Sequence, residues 1–332
     1  MSNRIVKIIA GASLTAACAL THAQERITLI VGGIEKQIYL PVKLAERLGY
    51  FAEQGLNIDL LSENSGVNAE DELLAGSVQG VIGFYDHTID LQARGKATQS
   101  VVQLSQVPGE VELVATRLAD VIRSPADFGG RALGVTGLGS STNFLSLYLA
   151  ASHGVRLSTL RTIPVGSGNR FIAAMQSGKI DVGMTTEPTA SRMLKSGAAR
   201  VLVDLRSPDD TRRALGGLYP GACLYMQTAW INAHKPEVQK LANALVKALR
   251  YLHTHSAAEI AEQIPAAFHA GDKAIYIEAL EKGRAMFTSD GRMPVTGPET
   301  VLKVLQLYDR TVQGKHIDLS KTFTSEFVAA VP

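Results

Sequence analysis

Cysteine is almost missing from this chain: Cys18 and Cys223 are the only two in 332 residues. A disulfide framework is therefore excluded as the source of stability, and so are cysteine-rich metal or redox motifs. A basic excess is missing too. Lysine and arginine number 33 against 31 acidic residues, and two of the basic ones, Arg4 and Lys7, lie in an N-terminal leader, so the rest is balanced. That balance argues against a nucleic-acid partner, and no Lys/Arg-rich amphipathic stretch suggests a membrane surface. No apolar run is long enough for a stable membrane span, and no low-complexity segment occurs.

Enzyme motifs are likewise absent. The run Gly137-Leu138-Gly139-Ser140-Ser141-Thr142 lacks the third glycine of a dinucleotide loop. Ala173 stands where a phosphate loop ending in Gly178-Lys179 needs glycine, and no GxSxG elbow is present. His253 and His255 are two apart, on different sides of a helix, and make a poor metal pair. His87 and His153 stand alone, and Cys223 suits a buried structural thiol. These observations imply no catalysis, no cofactor and no metal.

What is present begins with the leader. Arg4 and Lys7 precede an apolar run from Ile8 to Leu20, and Thr21-His22-Ala23 fits a small-x-small cleavage site, so residues 1–23 read as an export signal. Lipid attachment at Cys18 is the rival reading, but Thr15 stands where a lipoprotein signal wants a branched aliphatic residue. The remainder alternates strands and helices: strands at 26–31, 56–61 and 78–84, helices after Pro41 and over 69–75 and 86–94. Such alternation indicates parallel sheets with helical crossovers.

The pattern then recurs. Ser65 and Ser167, Gly66 and Gly168, Gly76 and Gly178, Gly95 and Gly197, and Gly32 and Gly134 all stand 102 residues apart, without a gap. One construction used twice predicts two lobes, each a mostly parallel sheet flanked by helices. Residues 24–114 plus 222–332 form the expected first lobe and 115–221 the second, with strands at 110–116 and 222–226 crossing between them. Pro236–His255 reads as a long amphipathic helix carrying Val238, Leu241, Leu245, Val246, Leu249 and Leu252.

Facing α/β lobes bring the loops at their strands' carboxyl ends around one cleft. The central stretch is Arg131–Ser152, a strand, a glycine loop and a helix opened by Ser140, Ser141 and Thr142. Hydroxyls and free amides at a helix start form an anion site that needs no basic side chain. Candidate contacts are therefore Gly139, Ser140, Ser141, Thr142 and Asn143. Lys36 and Gln37 offer long donors from the first loop. Tyr85, Asp86 and Glu187 end equivalent strands, although Asp86 and Glu187 also suit helix capping.

LAERLGYFAEQGLNIDL (44–60), GLGSSTNFL (137–145) and AMQSGKIDVGMTTEP (174–188) resemble the solute-binding proteins of ABC importers for nitrate, taurine and other sulfonates. The resemblance extends over roughly 26–255. It implies two lobes joined by crossing strands, hinge closure on a small-molecule ligand, a periplasmic monomer and delivery to an inner-membrane permease. Ligand contacts would fall on the first loop, on Ser140–Thr142 and near Glu187. A small organic anion is expected, foremost a sulfonate, then an aromatic carboxylate or a pyrimidine; a sensor-coupled binding protein is the alternative role. A thiamine-pyrimidine synthase shares the fold, but that enzyme depends on pyridoxal phosphate and a cysteine-rich motif, which one remaining cysteine cannot supply.

Overall fold

The computed structural model describes residues 26–332; the leader and Cys18 lie outside the described residues. Ten strands form two five-stranded sheets. The first contains β1 (Arg26–Val31), β2 (Asn57–Ser62), β3 (Gly80–Phe84), β4 (Thr98–Gln103) and β10 (Ala222–Gln227), in the order β2-β1-β3-β10-β4. The second contains β5 (Glu110–Ala115), β6 (Ala132–Val135), β7 (Arg161–Pro164), β8 (Val182–Thr186) and β9 (Ala199–Asp204), in the order β7-β6-β8-β5-β9. The two orders are the same order, with β1, β2, β3 and β4 replaced by β6, β7, β8 and β9. The constant offset between glycines therefore marks a real duplication of architecture.

In each sheet the fourth strand is supplied from outside the repeat. β10 runs antiparallel between β3 and β4, and β5 runs antiparallel between β8 and β9. This corrects the expected division of the chain. Residues 110–114 belong to the second lobe, because β5 pairs along its whole length with β8 and β9, and β10 lies wholly within the first sheet. The passages between lobes are thus short connectors before β5 and before β10. Those connectors are bonded to each other: Ser105 Oγ accepts from the Ala222 amide at 2.8 Å, and Gln103 Nε2 donates to the Ser105, Gly221 and Ala222 carbonyls.

Three apolar clusters hold the layers. One face of the first sheet buries Leu29, Val31 and Leu224 against Val238, Leu241, Leu245 and Leu249 of the helix Lys235–Thr254. Full burial of each such leucine stabilises by about 1.5–3 kcal/mol. The second lobe closes its own core over Val111, Leu113, Phe171, Met175 and Met193. The remaining cluster joins both lobes: Tyr85 and Ile89 from the first, Leu145 and Leu149 from the second, and Val301, Val304 and Leu305 from the helix Gly297–Tyr308. That helix packs on both Ser141–Ser152 and Asp86–Ala93, so it braces the two lobes and does not belong to the first alone.

Candidate functional site

The strand ends that face each other across the lobes leave a small cavity of about 10 Å³, room for a single water. Lys36, Tyr39, Gly66, Phe84 and His87 line it from the first lobe, and Glu110, Thr136, Ser140, Ser141, Thr142 and Thr186 from the second. Polar atoms without partners gather at this level: Asp86 Oδ1, His87 Nε2, Glu110 Oε2 and Thr186 Oγ1. Buried polar groups left unpaired cost about 1–3 kcal/mol each, so such a concentration marks a place built for a guest. The lobes are drawn together around it. Ser141 Oγ donates to Asp86 Oδ2 at 2.7 Å, the Gln37 amide donates to the Glu187 carbonyl at 3.0 Å, and Ser167 Oγ donates to Glu35 at 2.8 Å.

Lys36 reaches the cavity because its loop turns back on itself. Gly33 sits at φ +106°, and a Cβ there would lie 2.6 Å from Lys36 Cε, so only glycine lets the lysine stem fold over the turn. Lys36 Nζ donates to the Gly32 carbonyl. Burial lowers its pKa, against the pull of Glu35 and Glu110. Glu110 stands opposite with no ion pair; burial and then Asp86 push its carboxyl well up. Burial also pushes Asp86 up, although His87 and the hydroxyls of Ser141 and Tyr219 work the other way. Tyr219 OH donates to Asp86 Oδ2 at 2.8 Å, which ties the return connector to the same carboxylate.

The serine–threonine turn is at the cleft, but its hydroxyls are mostly occupied. Thr142 Oγ1 accepts from the Thr136 amide at 3.0 Å, Ser140 Oγ donates to the Gly137 carbonyl at 2.7 Å, and both meet Thr136 Oγ1. They build the turn and line the cavity with their remaining surface. Gly139, at φ +84°, and Asn143 face a separate groove beside Phe144, Leu147 and Tyr308; Asn143 Oδ1 accepts from the Gly139 amide at 3.0 Å.

Three further expected contacts lie elsewhere. Tyr85 is fully buried in the shared core, its hydroxyl 2.5 Å from Thr322 Oγ1 and its ring edge-on to Phe323. The Glu187 carboxylate turns back on its own lobe, accepting from Arg206 Nη1 at 2.6 Å, the Ser191 amide at 2.9 Å and Ser191 Oγ. Its surroundings make it a helix cap and an ion-pair partner, as its position before a helix allows. Gln37 Nε2 donates to the Tyr276 carbonyl at 2.8 Å, and only its backbone bridges the lobes. Conversely, Tyr39, Phe84 and Glu110, which the sequence did not mark, line the cavity, as does His87, read from sequence as an isolated histidine. Glu110 carried one usable signal, a charge opening a strand whose residues are otherwise apolar or alternate with Glu112. Among the described residues no group of His, Cys, Asp and Glu is arranged to hold a metal ion, and no helix is long and apolar enough to cross a membrane.

Comparison with known proteins places this geometry. A solved structure from Bordetella bronchiseptica RB50 is 32% identical, covers 92% of this chain and 96% of its own, and superposes with a TM-score of 0.88. The alkanesulfonate-binding protein SsuA from Xanthomonas axonopodis pv. citri, bound to MOPS, is 17% identical with a TM-score of 0.71, over 91% of this chain and 99% of that one; the likeness establishes the two-lobed periplasmic-binding-protein fold. The bicarbonate transport ATP-binding protein CmpC of Synechocystis is 27% identical over 249 residues, 69% of this chain, and the chain spans 36% of that relative's length. The model of the family described as NMT1/THI5 like matches residues 38–258, and the chain belongs to that family.

Proposed function

We propose that this protein is the extracytoplasmic solute-capture component of an ABC importer, closing its lobes over a small amino-substituted organic anion. An aminosulfonate such as taurine is the leading candidate. One observation carries the reading: a small cavity between the lobes sets Lys36 against the unpaired Glu110 carboxyl, with hydroxyls of Ser140, Ser141 and Thr142 around them. Lys36 Nζ, which gives only one of its protons to the Gly32 carbonyl, supplies donors for an anionic group. Glu110 requires something different, a donor or a cation on the same solute. A cation on the solute would hold Glu110 ionised against its burial, which a plain sulfonate or nitrate would not. The Tyr39 and Phe84 rings, edge to face at 6.3 Å, favour a second reading in which a flat aminopyrimidine or aromatic carboxylate lies against them.

The protein acts by binding. It works as a periplasmic monomer that delivers its solute to a membrane permease. A thermal-shift panel followed by calorimetry tests this. Taurine, methanesulfonate, nitrate, bicarbonate, benzoate and an aminopyrimidine are compared with wild type and Glu110→Gln. A solute bound only by the folded state raises stability by about 2.7 kcal/mol at a hundredfold excess over Kd. The proposal expects the amino-bearing anion to lead and Glu110→Gln to erase its advantage over methanesulfonate. No shift from any member would remove the anion-capture reading.

A further inference from the structure

The two lobes are alike enough that their differences are informative, and one difference sits at the cavity. Gly66 opens the helix Gly66–Ala75, and Gly168, its counterpart 102 residues on, opens Gly168–Gln176. In the second lobe the first amide of that helix is capped, the Gly168 amide donating to Thr189 Oγ1 at 3.1 Å. The residue at the equivalent place in the first lobe is His87. It offers no hydroxyl, and its ring meets the start of the helix directly. A Cβ added to Gly66 would lie 3.3 Å from His87 Nε2.

The ring is held in a defined orientation. Nδ1 is 2.5 Å from Glu70 Oε2, one turn along the same helix, and Glu70 is itself paired with Arg94, which also meets Asp90 at 2.6 Å. Phe144 and Tyr225 flank the ring at 5.9 and 6.2 Å. His87 is 1% exposed, lines the cavity, and its Nε2 has no partner. The nearest acid on that side, Asp86 Oδ1, is 3.8 Å away, beyond hydrogen-bond reach.

We propose that the first lobe carries an anion subsite, formed by His87 Nε2–H and the amide-bearing start of the Gly66 helix, which receives the negatively charged group of the solute. The inference rests on the cleft being the ligand site, and it moves the expected anion grip from the Ser140 turn to the opposite lobe. Its physical basis is a convergence of donors. First-turn amides have no intrahelical acceptor and sit at the positive end of the helix dipole. Burial alone would lower the His87 pKa, but Glu70 outweighs it and raises it to about 9, and Asp86 and Asp90 act in the same direction. Glu70 stays below the usual carboxylate range despite burial, because His87 and Arg94 both hold its charge. With Nδ1–H given to Glu70, the charged ring has one donor left, and it points at the cavity. Asp86 Oδ2 already accepts two hydrogen bonds.

The experiment is NMR on the mature chain labelled with ¹⁵N, titrated with methanesulfonate, formate and bicarbonate, and with neutral acetamide as control. The expected result is a saturable shift of the His87 Nε2–H and Gly66 amide resonances with at least one anion and none with acetamide. His87→Gln should weaken that anion at least tenfold. Gly66→Ala places a methyl in the subsite, 3.3 Å from His87 Nε2, while keeping both the imidazole and the Glu70 carboxylate, and should weaken it similarly; it also covers the case where His87→Gln fails to fold. Shifts confined to Ser141 and Thr142, or full affinity in folded Gly66→Ala, overturn the subsite while the cleft reading stands. An acetamide shift equal to the anions' also overturns it. No shift anywhere in the cleft overturns both.

Discussion

Glu112 offers a sharp test of how this fold tolerates charge. It lies on β5, two residues after Glu110, fully buried between the sheet and the helix Ser141–Ser152. Ser146 Oγ donates to its Oε2 at 2.7 Å, while Oε1 has no partner. Burial pushes its pKa up to about 8, only partly opposed by the Ser146 bond, from an ordinary value of 4.5. The unfolded chain therefore releases this proton near pH 4.5, whereas the folded chain keeps it until about pH 8. Between those values the folded state binds more protons than the unfolded state, so stability falls as pH rises. A gap of roughly three and a half units at about 1.4 kcal/mol each caps the loss at about 5 kcal/mol. Relaxation around the carboxylate would bring the loss to about 2–3 kcal/mol. Glutamine fills the same space and cannot ionise. Denaturant unfolding of wild type and Glu112→Gln at pH 5, 7 and 9 should give a stability difference that grows in the variant's favour by at least about 2 kcal/mol from pH 5 to 9. Glu110 and Asp86 titrate in both proteins and cancel to first order. A difference that stays constant with pH would refute the reasoning.

Ser141→Ala removes the bond to Asp86 that spans the lobes and should weaken solute affinity about tenfold, with little change in melting temperature, as calorimetry and thermal unfolding would show. Adding Thr142→Ala removes the acceptor for the Thr136 amide and should cost about 1 kcal/mol of stability, read from the same melts. Glu187→Gln breaks the pair with the largely buried Arg206 and should destabilise by about 3 kcal/mol while leaving affinity within twofold; a large affinity loss without destabilisation would return Glu187 to the ligand site. Small-angle scattering should show a smaller radius of gyration once solute is added, as hinge closure requires.

Local chemistry made much of the framework readable. Apolar runs marked β6 as Ala132–Val135 and placed β2 within one residue, whereas the helix expected from Ala69 opens three residues earlier, at Gly66, on the Ser65 cap. The recurrence at one offset gave two lobes, and the strand orders agree with it. Pairing between distant strands was not readable. Residues 110–115 carry the same apolar pattern whichever sheet they enter, and only their neighbours decide. Side-chain direction was equally hidden: Tyr85 looks as suited to a cleft as to a core until Phe323 and Thr322 close over it.

The duplication also explains why the contacts inferred by matching positions were the ones that moved. Tyr85 and Glu187 are equivalent, and both serve their own lobes, one in the shared core and the other on Arg206 and Ser191. Equivalent residues face the cleft symmetrically, but a solute with unlike ends needs an asymmetric one. Chemistry therefore has to enter where the halves diverge. His87 replaces the capping Thr189, and the lysine loop of the first lobe faces the hydroxyl turn of the second. Glu110 arrives on the strand that each sheet borrows from outside its repeat. That borrowed strand follows directly from the connector at the hinge, so the same short segment sets the distance between the lobes and delivers the carboxyl that a closing solute must satisfy. Sliding β5 by one residue against β8 and β9 would reverse which side of the sheet this carboxyl faces.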